Sequence, residues 1–310
     1  MNIALRRAVP ASDFRRSLAL RTGLLFAVAV LLAAACDSGA PSIDTSDHQP
    51  PVDTTVSFAP DSTMYRLHEA GALRIGTKLD QPLFGLRNPI TGRPEGFDAE
   101  MGKLIAARLG IPADHIDWVE TVSANRDPFL QQGRVDLVIA TYTITDARKQ
   151  IIDFAGPYFV AGQSLLVRAG NPDRITGPAD LPGRRVCAVE GSASSSTIRR
   201  VAPAAEHVLF DSYSKCAQAL KNGQVSAVTT DNTILAGLRS RDMEAFDLVD
   251  TTFSDEPYGI GVARGHADLV AFIDNLLRSA FQDGSWAAAW DRTAGRILGP
   301  APAPPDLDRY

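Results

Sequence analysis

Thr141, Thr143 and Arg148 follow an apolar run at 135–140 and together could hold a small carboxylate. A strand end offers hydroxyl and backbone N–H donors, and a guanidinium in the following turn can grip both oxygens of a carboxylate in a fork. An arginine in such a turn can equally be a solvated charge, so these residues acquire meaning only from what faces them. Asp231 supplies a counterpart, because it follows the strand-like run at 227–230 as Thr141 follows the run at 135–140. The two neighbourhoods are parallel: Gly133-Arg134-Val135-Asp136-Leu137-Val138 matches Gly223-Gln224-Val225-Ser226-Ala227-Val228, and in each a helix closes at glycine before a strand begins. Ligands of open α/β sheets bind beyond the carboxyl ends of strands, where two such units meet. A cleft between two halves follows, with Thr141, Thr143 and Arg148 on one side and Asp231 on the other.

The elements that position these residues alternate. The pattern predicts a helix at 63–70 closed by Gly71, a buried strand at 73–77, an amphipathic helix at 99–109 ended by Gly110, and a strand at 116–120. A short helix at 125–132 and a strand at 135–140 complete a βαβαβ half with parallel pairing. A second cycle reads as strands at 185–189, 208–210 and 227–230 separated by helices at 197–201 and 214–222, and the chain then turns helical at 267–283 and 286–293. The chain passes between halves near 158–163 and again near 257–261, where Gly162, Gly259 and Gly261 are expected to absorb rotation.

The ends carry a different message. Arg6, Arg7, Arg15, Arg16 and Arg21 precede an apolar run at 24–35 that stops at Cys36, the order of an export signal. A run this short does not span a bilayer, which needs about 20 residues. Leu32-Ala33-Ala34-Ala35-Cys36 resembles a bacterial lipobox with its leucine one place early, so Cys36 is the expected lipidation site; an ordinary cleaved signal is the alternative. Residues 36–61 are rich in Ser, Thr, Asp and Pro, without Lys or Arg, and read as a disordered tether. Removal of residues 1–35 leaves 26 basic and 35 acidic residues, a net charge of −9, which argues against a nucleic-acid partner. Cys187 and Cys216 are then candidates for one disulfide in an exported chain, or else two buried thiols. No cofactor and no metal site is expected, since the cysteines lack a nearby histidine pair.

Ala140-Thr141-Tyr142-Thr143-Ile144-Thr145-Asp146-Ala147-Arg148, Asp153-Phe154-Ala155-Gly156-Pro157-Tyr158, the run from Gly223 to Asp231, and Glu256-Pro257-Tyr258-Gly259 resemble the bacterial extracellular solute-binding proteins of family 3. The resemblance covers about residues 70–298 and is strongest to actinobacterial glutamate-type receptors, which carry a similar Ser123-Ala124-Asn125-Arg126 segment and paired cysteines. It implies an α/β, two-lobed, type II periplasmic-binding-protein-like fold with the ligand cleft between lobes. Its implied division is a lipoprotein signal peptide at 1–35, a tether at 36–61, lobe 1 at 62–160 and 262–300, lobe 2 at 161–261, and a disordered tail at 301–310. Arg148 with Thr143 would take the ligand α-carboxylate, and Asp231 with Thr141 its ammonium. The Gly191-Ser192 turn would complete the carboxylate cage; the threonine common two residues after the glycine is Ala193 here, so Ser192 or Ser194 would substitute. Lys78, Ser123 and Arg126 would select an acidic side chain, unless Lys78 and Arg126 are solvated. Phe84 would pack on the ligand or serve the core.

The implied function is an extracytoplasmic receptor for glutamate or aspartate, with asparagine or glutamine next in line. It would act as a monomer, lipid-anchored on the outer face of the cytoplasmic membrane, and deliver ligand to an ABC permease by hinge closure. A sensor that reports occupancy to a membrane signalling partner is the alternative. A dehydratase on the same fold is disfavoured, because the five histidines are scattered and no Gly-x-Ser-x-Gly elbow occurs.

Overall fold

A computed structural model describes residues 48–308. The expected export signal, Cys36 and the first part of the expected tether lie outside the described residues.

The strands are β1 (Leu73–Thr77), β2 (Asp80–Gln81), β3 (Gly85–Arg87), β4 (Pro94–Glu95), β5 (Ile116–Glu120), β6 (Leu137–Val138), β7 (Asp153–Arg168), β8 (Arg185–Val189), β9 (Glu206–Phe210), β10 (Ala227–Asp231), β11 (Phe246–Leu248) and β12 (Asp255–Val262). A nine-stranded sheet runs β5-β1-β6-β12-β7-β10-β8-β9, with β11 also on β7, while β2, β3 and β4 form a small separate sheet. Parallel pairs lie at the two ends, β5-β1-β6 and β10-β8-β9. They are the two βαβ halves expected from the glycine-closed helices.

What joins the halves is less expected. The 16-residue β7 pairs antiparallel with β12 from Asp153 to Gly162, and then with β10 from Gln163 to Val167. Both crossings are therefore hydrogen-bonded strand. Gly162, Gly259 and Gly261 are closely packed: a Cβ would lie 2.8 Å from Thr252, 2.6 Å from Ile144 and 2.9 Å from Tyr142, respectively. The lobe 1 core gathers Phe84, Phe97, Phe159, Tyr258, Trp286 and Trp290, with Phe159 stacked on Trp290 at 4.8 Å. Lobe 2 packs separate apolar clusters on its sheet, one around Leu166, Val228 and Leu235 and another around Leu165, Val186 and Ile198.

Three expectations are corrected. The helix near 99–109 runs Phe97–Arg108 and is buried nearly all round rather than amphipathic. The segment expected to be a tether packs on it and on the helix Ala267–Asp283: Asp53 N–H donates to the Ala107 carbonyl at 3.0 Å, Lys103 Nζ donates to the His48 carbonyl at 3.3 Å, and Phe58 meets Phe272 of the second helix edge-on at 5.8 Å. Phe58 and Val56 supply apolar anchors within the polar composition that suggested disorder. The described part of the tail is likewise packed. Ala301 and Leu307 join the lobe 1 core, Asp308 N–H donates to the Gly156 carbonyl at 2.8 Å, and Lys149 pairs with the Asp308 carboxylate at 2.5 Å.

Cys187 on β8 and Cys216 on the helix Tyr213–Lys221 are disulfide-bonded, with sulfurs 2.01 Å apart. The bond ties strand to helix in lobe 2 across a sequence separation of 29. Loop closure of that length limits the unfolded chain by about 3–4 kcal/mol. The Cys187→Ala/Cys216→Ala variant is expected to lose about that much in urea unfolding. A loss below 1 kcal/mol would contradict the entropic role.

Candidate ligand-binding site

The site is built where β6 ends. Only Leu137–Val138 pairs as strand, against the expected 135–140, because the backbone beyond it is diverted. Thr141 sits at φ +43°, a left-handed conformation for a β-branched residue. Asp98 holds it there: its carboxylate accepts from Thr141 N–H at 2.9 Å and from the Tyr158 hydroxyl at 2.6 Å. Burial raises the Asp98 pKa to about 6, still ionised at neutral pH. The diverted backbone turns its carbonyls toward arginines. Arg126 donates to Ala140 and Thr141 carbonyls at 3.2 and 3.3 Å, and Arg148 to the Thr143 carbonyl at 2.7 Å.

The Tyr142 ring meets both guanidiniums. The Arg126 and Arg148 Cζ atoms stand 4.2 and 4.9 Å from its ring centroid, in cation–π range. Lys78, at the end of β1, donates to the Ser123 hydroxyl at 2.9 Å. Lys78, Arg126 and Arg148 are all buried, so the solvated alternative for the first two does not hold. Burial and then the charge of Arg126 lower the Lys78 pKa to about 7. Burial and then Arg148 lower Arg126 to about 9, protonated at neutral pH.

Lobe 2 brings Asp231, at the end of β10, into electrostatic reach of both arginines. Its carboxylate accepts from the Tyr258 hydroxyl at 2.6 Å and from Ser194 Oγ at 3.3 Å. Burial, and then Glu256, push its pKa up. Gly191 closes the contact between lobes: its carbonyl accepts from Arg148 at 2.9 Å and Arg126 at 3.5 Å. Gly191 has φ +73°, and a Cβ there would fall 2.7 Å from Ala124 Cα of lobe 1.

Two expected roles change. Phe84 is fully buried and meets Phe97, Phe159, Tyr258 and Trp290 edge-on, so it belongs to the core and backs Tyr258. Ser192 is occupied within its own turn. Its N–H donates to the Val189 carbonyl at 3.2 Å and its hydroxyl accepts from Ser195 N–H at 2.9 Å, leaving Ser194 to face Asp231. Thr141, Thr143, Arg148, Lys78, Ser123 and Arg126 do gather on lobe 1. Sequence reasoning assigned no role to Asp98, Tyr142, Glu256 or Tyr258; Glu256 and Tyr258 lay inside a quoted motif, whereas Asp98 reads as the start of a helix.

This geometry can be set beside known proteins. The family model of bacterial extracellular solute-binding proteins, family 3, matches residues 73–294. The chain belongs to this family of solute-binding proteins. A glutamine-binding protein of Geobacillus stearothermophilus is 38% identical over 242 residues, 78% of this chain and 90% of that one. A glutamate-binding protein of Corynebacterium efficiens is 36% identical over 228 residues, 70% of this chain and 77% of that one. Among solved structures, a solute receptor for L-cysteine of Neisseria gonorrhoeae superposes with TM-score 0.72 at 28% identity, over 77% of this chain and 96% of that one. The two-lobed type II fold is shared with amino-acid-binding proteins, and the named relatives are solute-binding proteins.

Because the Gly191 turn abuts Ala124, a side chain there would hold the lobes apart. Gly191→Ala is expected to enlarge the radius of gyration in small-angle scattering at millimolar glutamate or glutamine. An unchanged radius would refute the contact.

Proposed function

We propose that this solute-binding protein is the extracytoplasmic receptor of an amino-acid importer and that it takes an acidic amino acid, glutamate or aspartate. The observation that carries the reading is the burial of Lys78, Arg126 and Arg148 together on lobe 1 with neutral hydrogen-bond acceptors, opposite the buried carboxylate of Asp231. Desolvated cations with only neutral partners are costly, and a bound carboxylate offsets that cost. In this reading Arg148 holds the α-carboxylate, Asp231 the ammonium, and Lys78 with Arg126 the side-chain carboxylate.

Lys78, Arg126 and Arg148 do not make the site a net positive one, because the buried carboxylates Asp98, Glu256 and Asp231 lie among them and Asp80 and Asp127 also act on them. Selection of an acid therefore rests on placement. Asp98 is committed to Thr141 and Tyr158, whereas Lys78 has the Ser123 hydroxyl as its partner. A carboxamide beside Lys78 leaves its charge unmet; a carboxylate meets it. Named relatives include both glutamine- and glutamate-binding proteins, and Lys78 with Arg126 favours the second class here.

The Arg-rich start, the apolar run and Cys36 support lipid anchoring outside the cytoplasmic membrane, and delivery to an ABC permease follows from the family. The paired crossing strands β7 and β12 support hinge closure, in which a ligand bridging both lobes shifts the population toward the closed form.

Calorimetry with glutamate, aspartate, glutamine and asparagine tests the ligand, with an acidic amino acid expected to bind tightest. Tightest binding of glutamine would overturn the acidic assignment. Arg148→Ala is expected to cost about 2–5 kcal/mol of affinity; full retention would overturn the carboxylate clamp.

The pH dependence has a definite sign. Lys78 must be protonated to meet a carboxylate, so glutamate affinity falls as pH rises through about 7. Asp231 must be ionised to meet an ammonium, and its raised pKa makes affinity fall as pH drops below neutrality. Each limb approaches about tenfold per pH unit. Glutamate binding should therefore peak near neutrality. An alkaline limb shallower than a twofold loss would remove Lys78 from the side-chain subsite.

A further inference from the structure

Gln81 carries no role in anything above, yet it stands at the meeting of the lobes. It ends β2, and its two chain neighbours both touch lobe 2. The Asp80 carboxylate accepts from Ser214 N–H and Oγ at 3.3 Å, and a Cβ on Gly237 would lie 2.6 Å from the Pro82 carbonyl. Between these contacts the Gln81 side chain is 1% exposed. Its Oε1 lies 2.9 Å from Thr141 Oγ1, and its Nε2 has no hydrogen-bond partner among the described residues.

Proton counting sharpens this. Thr141 has one hydroxyl proton and two acceptors within reach, Gln81 Oε1 at 2.9 Å and the Ala140 carbonyl at 2.8 Å. With the proton on the first, the Gln81 NH2 is the free end. With the proton on the second, the amide reverses, its NH2 donates to Thr141 Oγ1, and the carbonyl is free. In either arrangement one end of a buried amide is left over beside Thr141, and such groups are found paired in native proteins. The surroundings favour the first arrangement. The carboxylate of Asp98 already takes the Thr141 N–H, and the Ala140 carbonyl already accepts from Arg126, so the hydroxyl proton is best used on Gln81.

We propose that Gln81 is a ligand contact and a positioning donor of the cleft, its amide N–H donating to a carboxylate oxygen of the bound amino acid. This inference rests on the acidic amino-acid reading of the site. Gln81 adds to Lys78 and Arg126 a donor that carries no charge, fixed on its far side by Thr141. It therefore contributes direction rather than Coulombic attraction. Its chemistry suits a carboxylate or carboxamide oxygen equally, which leaves the choice between acid and amide to the neighbouring cations.

The test is calorimetry with glutamate and glutamine on the parent chain, Gln81→Met, Gln81→Glu and Arg148→Ala, each first checked by thermal melting without ligand. Gln81→Met keeps the length and loses the donor, and is expected to weaken glutamate binding at least tenfold with a melting temperature near the parent's. Gln81→Glu offers acceptors only and is expected to weaken glutamate more than Gln81→Met does, and more than it weakens glutamine. Gln81→Met with affinity within twofold of the parent would overturn the contact. Gln81→Glu binding glutamate as well as the parent would overturn the donor assignment, because a free acceptor facing the ammonium predicts that result. If either variant fails to melt cooperatively, the expected loss is read from Gln81→Asn, whose amide is retracted by one methylene; parental affinity there overturns the contact. Loss of binding in Arg148→Ala with no effect at Gln81 sinks this inference alone, whereas a parent chain that binds neither amino acid sinks the functional reading itself.

Discussion

Everything at the centre of this molecule answers to one constraint: Lys78, Arg126 and Arg148 are buried, and their hydrogen bonds run to neutral oxygens. Burying a cation without a carboxylate is affordable only where several oriented dipoles face it. The chain provides those dipoles by breaking its own regularity. A strand spends its carbonyls on the next strand, so β6 stops at Val138 and the carbonyls of Ala140, Thr141 and Thr143 are released to the guanidiniums. The left-handed Thr141 is the local strain that makes this possible, and Asp98 is the group that holds it. Lobe 2 adds one more carbonyl, that of Gly191, at a turn that approaches Ala124 closely only because it carries no Cβ.

The same groups link the two lobes mechanically. Tyr158 on β7 donates to Asp98, and Tyr258 on β12 donates to Asp231, so each crossing strand hands one hydroxyl to one buried carboxylate. The two tyrosine rings lie 6.0 Å apart, with Phe84 edge-on to Tyr258 at 5.8 Å. Aromatic packing in the lobe 1 core thus fixes the strands that position both carboxylates. Gly259 and Gly261 are packed against Ile144 and Tyr142, so the proposed hinge closure would be a change of twist along the paired strands.

Legibility of the sequence followed the range of the physics. β1, β5, β8 and β10 were evident, because short apolar runs between glycines need nothing distant to explain them. The gathering of Arg148 and Thr143 on one half and Asp231 on the other was evident from the parallel of the two halves. β7 was not, because a strand buried along most of its length shows no alternation, and its Gly156, Pro157 and Gly162 read as breaks. Asp98, Gln81 and Tyr258 escaped for another reason: each acts through a partner 27 to 60 residues away, as in Asp98 with Tyr158, Gln81 with Thr141 and Tyr258 with Asp231. The packed ends at 48–61 and 301–308 escaped because one or two apolar anchors in a polar stretch weigh little in composition and much in a groove.

The carboxylates around the three cations change how selectivity is understood. In an acidic protein, a cleft that drew its ligand by net charge would work against the field of the rest of the chain. A site whose cations are offset by carboxylates placed apart from them has no such conflict. It presents a pattern rather than a charge, and in the proposed reading an amino acid is the complementary pattern, ammonium toward Asp231 and α-carboxylate toward Arg148. The side chain would then meet Lys78, the one cation of the three that is a compact ammonium rather than a delocalised guanidinium. Burial lowers the Lys78 pKa to about 7, so of the three it is the cation that gives up its proton nearest neutral pH. In the proposed reading the cation closest to losing its proton is therefore the one whose pairing discriminates between a carboxylate and an amide, so selectivity depends on the protonation of Lys78 as well as on its placement.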